Sequence, residues 1–368
     1  MSLTFPLLWV HGCDRIIAFT GCIARMPFDF IYRIFFYFAN DPSSLSTLIS
    51  PWLNQCLPLV VLFLDCAERI CGLQNTTIPS IEHFSFAIMS FQALPLNNGA
   101  KIPFMGLGTW DIRNATSVVE AALDAGYRMI DTAVLYGNER ECGQGILNWL
   151  QKDPVHHKRK DVFYITKLWN DQNGYSNAKN AIHECLNKVS GLEYIDLLLI
   201  HSPTEGKRLR LETYKAMQEA VESGIVKSIG VSNYGEGHID ELLSWDGLRV
   251  KPVVNEIEVS PWCMRQELCD FTKSRGLQVI AYAPLSHAYR INDPDAVSLA
   301  KKKGVSSAQI LIRWSIQKGY IPIPKTKTIS RLAQNLDVLS FELSQTEMAQ
   351  LDHPEVHDPS DWDVVHCP

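Results

Sequence analysis

No apolar run in the 368-residue chain approaches the roughly eighteen residues of a membrane-spanning helix. The candidates Ile16–Ala24 and Leu57–Leu64 are both too short, which excludes a polytopic membrane protein. Basic charge is scarce as well. Lys and Arg number 34 against 40 Asp and Glu, a net charge of −6, so the electrostatic footprint of a nucleic-acid binder is missing. No CxxC pair occurs, so no zinc site of that kind is expected, and no other metal is expected either. There is no Walker lysine loop. The nearest approach to a GxGxxG turn, Gly106-Leu-Gly108, continues Thr-Trp and lacks the third glycine.

Lysine is absent from residues 1–88, although 18 follow in the rest of the chain. That stretch holds five of the ten cysteines: Cys13, Cys22, Cys56, Cys66 and Cys71. An odd count without regular spacing does not read as a disulfide framework. The change of composition places a boundary just before Met89, between an extension at 1–88 and a domain at 89–368. The extension contains Phe30–Phe38, apolar on nearly all sides, and is too hydrophobic for ordinary disorder. Leu3–Val10 has the polarity of a signal peptide, but the first basic residue is Arg15, so secretion is not expected. Two readings of the extension stay open: a poorly ordered or misassigned start, and a membrane-surface or targeting segment. The cysteines after Met89 are scattered among lysine-bearing segments and read as reduced thiols, which predicts a cytoplasmic protein.

From Met89 onward, short apolar runs alternate with helical patterns of about ten residues or more. The runs are Phe104–Gly108, Arg128–Asp131, Val162–Thr166, Ile195–Ile200, Val226–Val231, Val253–Ile257, Gln278–Tyr282 and Tyr320–Ile323. Helical patterns include Thr116–Asp124, Glu139–Trp149, Asn177–Ser190, Leu211–Glu222, Gln266–Arg275, Asp293–Lys303 and Ser307–Lys318. Such alternation predicts parallel strands with crossover helices. Eight of them in this length fit an α/β fold of the (β/α)8 barrel type better than an open doubly wound sheet. Near-continuous apolar strands such as Leu197-Leu-Leu-Ile200 suit a wall covered on both faces.

In such a barrel the C-terminal ends of the strands face the active-site mouth. The second run ends at Asp131, the third reaches Lys167 and the fourth is followed by His201, with Tyr136 on the loop after Asp131. Each alone has a plain explanation: a helix cap, a solvated end, an edge histidine, a packed ring. At successive strand ends they form a constellation. An acid fixes the ammonium, the ammonium favours ionisation of the phenol, and the phenol can serve as a general acid. The histidine can hold a carbonyl oxygen on which negative charge develops.

The later runs offer a seat for a hydride donor. Ser232 and Asn233 can bind a carboxamide, and Tyr282 presents a ring for stacking. Lys325, Thr326 and Arg331 read either as a phosphate site, common near strands seven and eight of barrels, or as a solvated cationic turn.

Gly106-Leu-Gly-Thr-Trp110, Gly126-Tyr-Arg-Met-Ile-Asp131-Thr-Ala133, Tyr136-Gly-Asn-Glu139, Ile229-Gly-Val-Ser-Asn233 and Ile323-Pro-Lys325-Thr326 follow one another in order. In these motifs, from about Phe91 to Pro359, the sequence resembles the aldo-keto reductases. The resemblance implies a barrel with a bottom hairpin near Leu94–Lys101, and a tetrad of Asp131, Tyr136, Lys167 and His201 with Tyr136 the proton donor. It implies NADPH lying across the barrel mouth. Thr109, Ser232, Asn233, Glu256, Tyr282 and Leu285 would touch it, Lys325, Thr326 and Arg331 would hold its 2′-phosphate, and Asn335 its adenine. Trp110, Trp169 and His201 would line the substrate pocket.

Two positions depart from the family. Glu256 stands where glutamine is usual; it is expected to bring a negative charge and to accept from an amide without donating back. Ala283 stands where serine is usual. The expected activity is NADPH-dependent reduction of aldehydes, ketones or sugar carbonyls by a monomer with a small-molecule substrate and no nucleic-acid partner. The alternative is a nucleotide-binding regulatory or channel-partner subunit with little turnover. The loops Glu205–Arg210 and Ser286–Asp293 and the tail Asp352–Pro368 are expected to set the substrate.

No residue of 1–88 enters this constellation. A chain beginning at Met89 is therefore expected to fold, to bind NADPH and to reduce aldehydes as well as the full chain, with better solubility once Phe30–Phe38 is removed. Thermal melts and activity of the two chains, side by side, check this. An insoluble or inactive shortened chain would place the boundary elsewhere.

Overall fold

The computed structural model describes residues 93–368; the extension at 1–88 and the boundary at Met89 lie outside the described residues. A short antiparallel hairpin comes first, with β1 (Ala93–Pro95) paired to β2 (Lys101–Pro103). Eight parallel strands follow: β3 (Leu107–Gly108), β4 (Met129–Asp131), β5 (Phe163–Leu168), β6 (Ile195–Ile200), β7 (Val226–Ser232), β8 (Val254–Glu258), β9 (Gln278–Tyr282) and β10 (Ile321–Pro322). Each strand pairs with the next in sequence order. The two ends of this sheet meet: Gly106 N donates to Pro322 O at 3.0 Å and Gly108 N to Pro324 O at 3.1 Å. The (β/α)8 barrel read from the alternation is therefore the observed fold, hairpin included.

That seam needs glycine. A Cβ on Gly108 would stand 2.7 Å from the carbonyl oxygen of Ile323, closer than real Cβ atoms come to backbone. The hairpin seals the opposite end. Asn97 Nδ2 donates to Pro252 O at 2.7 Å and Asn98 Nδ2 to Ser228 Oγ at 3.0 Å.

The helices are α1 (Ala115–Ala125), α2 (Glu139–Lys152), α3 (Tyr175–Lys188), α4 (Gly206–Glu222), α5 (Glu236–Leu243), α6 (Gln266–Ser274), α7 (Pro294–Lys303), α8 (Ser307–Gln317), α9 (Ser330–Leu336) and α10 (Gln345–Leu351). Their apolar faces pack on the outward residues of the strands in one large cluster that includes Ile130, Leu198, Ile229, Val279 and Trp314. A smaller cluster fills the barrel itself: Ile102 from the hairpin, then Met129, Ile165, Leu199, Val254, Ile280 and Ile323.

Side chains alternate along a strand, so residues two apart share a face. Two steps on from Met129, Ile165, Leu199, Val254, Ile280 and Ile323 stand Asp131, Lys167, His201, Glu256, Tyr282 and Lys325. The apolar packing of the barrel interior thus decides which polar residues reach its mouth.

Candidate active site

The mouth holds a cleft of about 480 Å³. Asp131, Tyr136 and His201 line it, with Trp110, Leu135 and Trp169 on one side and Ser232, Asn233, Glu256 and Tyr282 on another. Lys325, Thr326 and Arg331 form its far end, and Thr109 and Leu285 also border it. Of the residues singled out in the sequence, only Lys167 and Asn335 do not border the cleft. Lys167 lies fully buried just beneath it. Asn335 is buried within α9.

Lys167 is held by three polar contacts. Its Nζ lies 2.6 Å from Asp131 Oδ2, 3.1 Å from Thr132 O and 3.2 Å from Glu256 Oε1. It also stands 5.2 Å from the centre of the Tyr136 ring. Burial works against its charge, yet Asp131 and Glu256 more than offset this and hold the ammonium above its ordinary proton affinity.

The turn that presents Tyr136 is tied down by its neighbours. Gly137 takes the left-handed conformation (φ 66°) that ends a single turn of 3₁₀ helix. Asn138 Oδ1 accepts from Thr132 Oγ1 at 2.6 Å, and its amide donates to Thr109 O at 2.9 Å. Glu139 accepts from Thr166 Oγ1 at 2.6 Å and from Lys188 Nζ at 2.5 Å. The Tyr-Gly-Asn-Glu run is therefore a tyrosine on a turn clamped to β3, β4 and β5.

Burial pushes the Tyr136 phenol up, and the pull of Lys167 in the other direction is the smaller effect. The sequence reading weighed only the lysine. In the folded protein the phenol stays loaded with its proton through neutral pH. His201 moves the opposite way: burial, then the nearby Lys167, hold its imidazole well below the usual range, so it is neutral. Its buried Nδ1 has no partner among the described residues.

Glu256 also differs from the sequence expectation of a plain negative charge. Burial, then repulsion from Asp131, push its carboxyl up to about 8. Near neutrality it holds a proton, which restores a donor. Its Oε2 is buried and has no hydrogen-bond donor as partner among the described residues.

Around these groups the amides are fixed. Asn233 Nδ2 donates to His201 O at 3.0 Å, and Tyr282 Oη donates to Asn233 Oδ1 at 2.9 Å. Ser232 Oγ donates to the backbone of Glu256 at 2.9 Å. Lys325 and Lys327 approach Asp111 at 3.7 and 2.6 Å, while Arg331 has no carboxylate partner among the described residues.

The sequence reading named the C-terminal tail but not the residues that count. Glu258 accepts from Ser360 N and Oγ, both at 2.6 Å, and from Asp361 N at 3.2 Å. This pins the tail over the mouth and sets Trp362 against Trp169, ring centres 5.5 Å apart, and 6.5 Å from His201. Asp361 meets His287 of the opposite loop at 3.7 Å. The one available signal was a tryptophan flanked by acids in a tail otherwise without pattern.

Residues 104–355 match the model of the Aldo/keto reductase family. An uncharacterized oxidoreductase of Saccharomyces cerevisiae is 59% identical over 275 residues, 74% of this chain and 98% of the relative. A glyoxal reductase of Bacillus subtilis is 36% identical over 260 residues, 70% of this chain and 90% of its own. Among solved structures, an aldo-keto reductase of Bombyx mori in complex with NADP superposes with a TM-score of 0.66. It shares 37% identity and covers 71% of this chain and 92% of its own.

The buried trio generates a stability test. Lys167→Met leaves Asp131 and Glu256 without their counter-ion, and breaking a buried pair in this way costs about 3–5 kcal/mol. Both carboxyls have folded-state affinities raised above their unfolded values. The folded state of the variant therefore gains protons as pH falls, and its stability deficit should shrink at pH 5 and grow above neutrality. Denaturant unfolding of native and variant proteins across that range checks both magnitude and sign.

Proposed function

The chain belongs to the aldo/keto reductase family and is an oxidoreductase, and we propose that it reduces small carbonyl compounds with NADPH, Tyr136 giving the proton. The observation that carries this reading is the meeting of Asp131, Tyr136, Lys167 and His201, from three strands and a clamped turn, around one cleft. A substrate carbonyl placed between Tyr136 and His201 would meet a protonated phenol and a neutral imidazole. Both can donate to its oxygen. An alkoxide forming there is far more basic than a phenolate, so a phenol that resists ionisation in the resting site still passes its proton on. Lys167 then stabilises the phenolate left behind, and Asp131 holds Lys167.

The residues present fit a nicotinamide dinucleotide. The unpartnered Glu256 Oε2 lies by the cleft next to Ser232 and Asn233, which suits a carboxamide that both donates and accepts. The Tyr282 ring, held through Asn233, offers a flat seat. Lys325, Thr326 and Arg331 would hold a 2′-phosphate at the far end, and Thr109 and Leu285 would flank the chain between. Such a cofactor, when bound, supplies hydride. Asn335 would reach an adenine only through an edge of α9, since its side chain is buried.

Trp110, Leu135, Trp169 and Trp362 give the substrate end an apolar lining, which supports aldehydes and ketones with hydrophobic bodies over free sugars. The Bombyx mori protein's complex with NADP supports the cofactor, and the Bacillus subtilis glyoxal reductase supports carbonyl reduction.

Tyr136→Phe is expected to lower kcat by about 10²–10⁴-fold while NADPH binding stays nearly unchanged. Steady-state rates with an aromatic aldehyde, together with fluorescence titration of the cofactor, check it; turnover near the native level would remove Tyr136 from its role.

Arg331→Ala is expected to raise the Kd for NADPH and leave that for NADH almost unmoved. A charge-assisted contact is worth about 1.5–3 kcal/mol, and the exposure of Arg331 puts the loss at the lower end, about tenfold. Equal losses for the two cofactors would show that the arginine does not read the phosphate.

A further inference from the structure

Resting on the role just given to Tyr136, we propose that Glu256 is a positioning residue for its proton: by sharing the Lys167 ammonium with Asp131, it opposes ionisation of the phenol at alkaline pH.

The geometry is that of one cation between two acids. Lys167 Nζ lies 2.6 Å from Asp131 Oδ2 and 3.2 Å from Glu256 Oε1, all three side chains being about 98% buried or more. The same ammonium lies 5.2 Å from the Tyr136 ring centre. An ammonium answered by one carboxylate forms a neutral pair that still favours a phenolate beside it. Answered by two, it becomes a net anion, and a second negative charge on the phenol is resisted. The titratable and charged groups facing Glu256 are Asp131 from β4, Lys167 from β5 and Tyr136 from the turn after β4. His201, Tyr282, His287, Lys325, Lys327, Arg331 and Asp361 line the same cleft, and Ser232 and Asn233 of the adjoining strand carry no charge.

Glu256 holds its proton near neutrality and gives it up as pH passes about 8. Below that value the site has one proton on Glu256 and one on Tyr136. Above it, the new charge on Glu256 makes the phenol proton harder to remove. The enzyme keeps its acid in the reducing form into the alkaline range, and alcohol oxidation, which needs the phenolate as base, is held back. A glutamine at 256 would fill the same space without this effect.

The experiment compares native protein with Glu256→Gln and Glu256→Asp. The kcat/KM of carbonyl reduction and of alcohol oxidation is followed from neutral to strongly alkaline pH. In Glu256→Gln the alkaline pKa of reduction should fall by about one unit or more. Reduction should then drop about tenfold relative to native at the alkaline end, while oxidation rises at lower pH. Glu256→Asp should move back toward native. In parallel, phenolate absorbance is titrated without cofactor or substrate, with Tyr136→Phe as the subtracted reference, and should show the same fall. Unmoved pKa values, or a uniform loss of kcat at every pH, would overturn the proposal by leaving Glu256 a merely structural part. The absorbance titration needs no turnover, so full activity in Tyr136→Phe would defeat the proton-donor role and still leave the proposed coupling open to measurement. If Glu256→Gln does not fold, infrared difference spectra of the native protein serve. A protonated carboxyl band lost above neutrality, in step with a delayed phenol, is expected, and its absence would overturn the proposal.

Discussion

The buried ammonium of Lys167 is the point on which the rest of the site depends. A lysine with no exposed surface is tolerated only where polar partners meet it directly, and here Asp131 does so from the adjoining strand β4 and Glu256 from β8 across the barrel. The backbone carbonyl of Thr132 takes another of its protons. In turn the ammonium pulls on the Tyr136 phenol against the larger effect of its burial, and adds to the burial that keeps His201 neutral. Removing any one of these groups changes the proton affinity of the others, so the cluster is better regarded as a single titrating unit than as five separate side chains.

The barrel makes that cluster possible through its two-residue repeat. Apolar residues inside the lower barrel fix the facing of each strand, and the next inward position up is the one that becomes polar. This is why so much was legible in the sequence. Ile195–Ile200 and Gln278–Tyr282 were read with their observed bounds, because their apolar runs are continuous and end abruptly. The first and last barrel strands were read too long. Pro322 and Pro324 lack the N–H groups that a longer ladder at the seam would use, so pairing there shrinks to two residues. Helix α5 went unread: it is only eight residues long and carries Gly237 inside it.

Protonation states were the other part hidden from a linear reading. Glu256 looks like an ordinary carboxylate until its burial and its closeness to Asp131 are known, and Tyr136 looks more acidic than it is until its own burial is counted. The tail is a third case. Trp362 reaches the mouth because Ser360 and Asp361 bond to Glu258, about a hundred positions earlier in the chain, and no local pattern announces so distant a tether.

The seam at which Gly106 and Gly108 meet Pro322 and Pro324 has a consequence for how the molecule comes into being. During synthesis the first barrel strand emerges with one edge bare, and its second partner lies more than two hundred residues downstream. Contacts of such separation form slowly, and an unpaired edge invites association with other chains in the meantime. The strands bearing Asp131, Lys167 and His201 can pair with one another well before then. Thr109 and Lys325, on either side of the seam, come together only when the last strand docks. A nascent chain can therefore hold Asp131, Lys167 and His201 side by side while the rim of the cleft is still in two pieces.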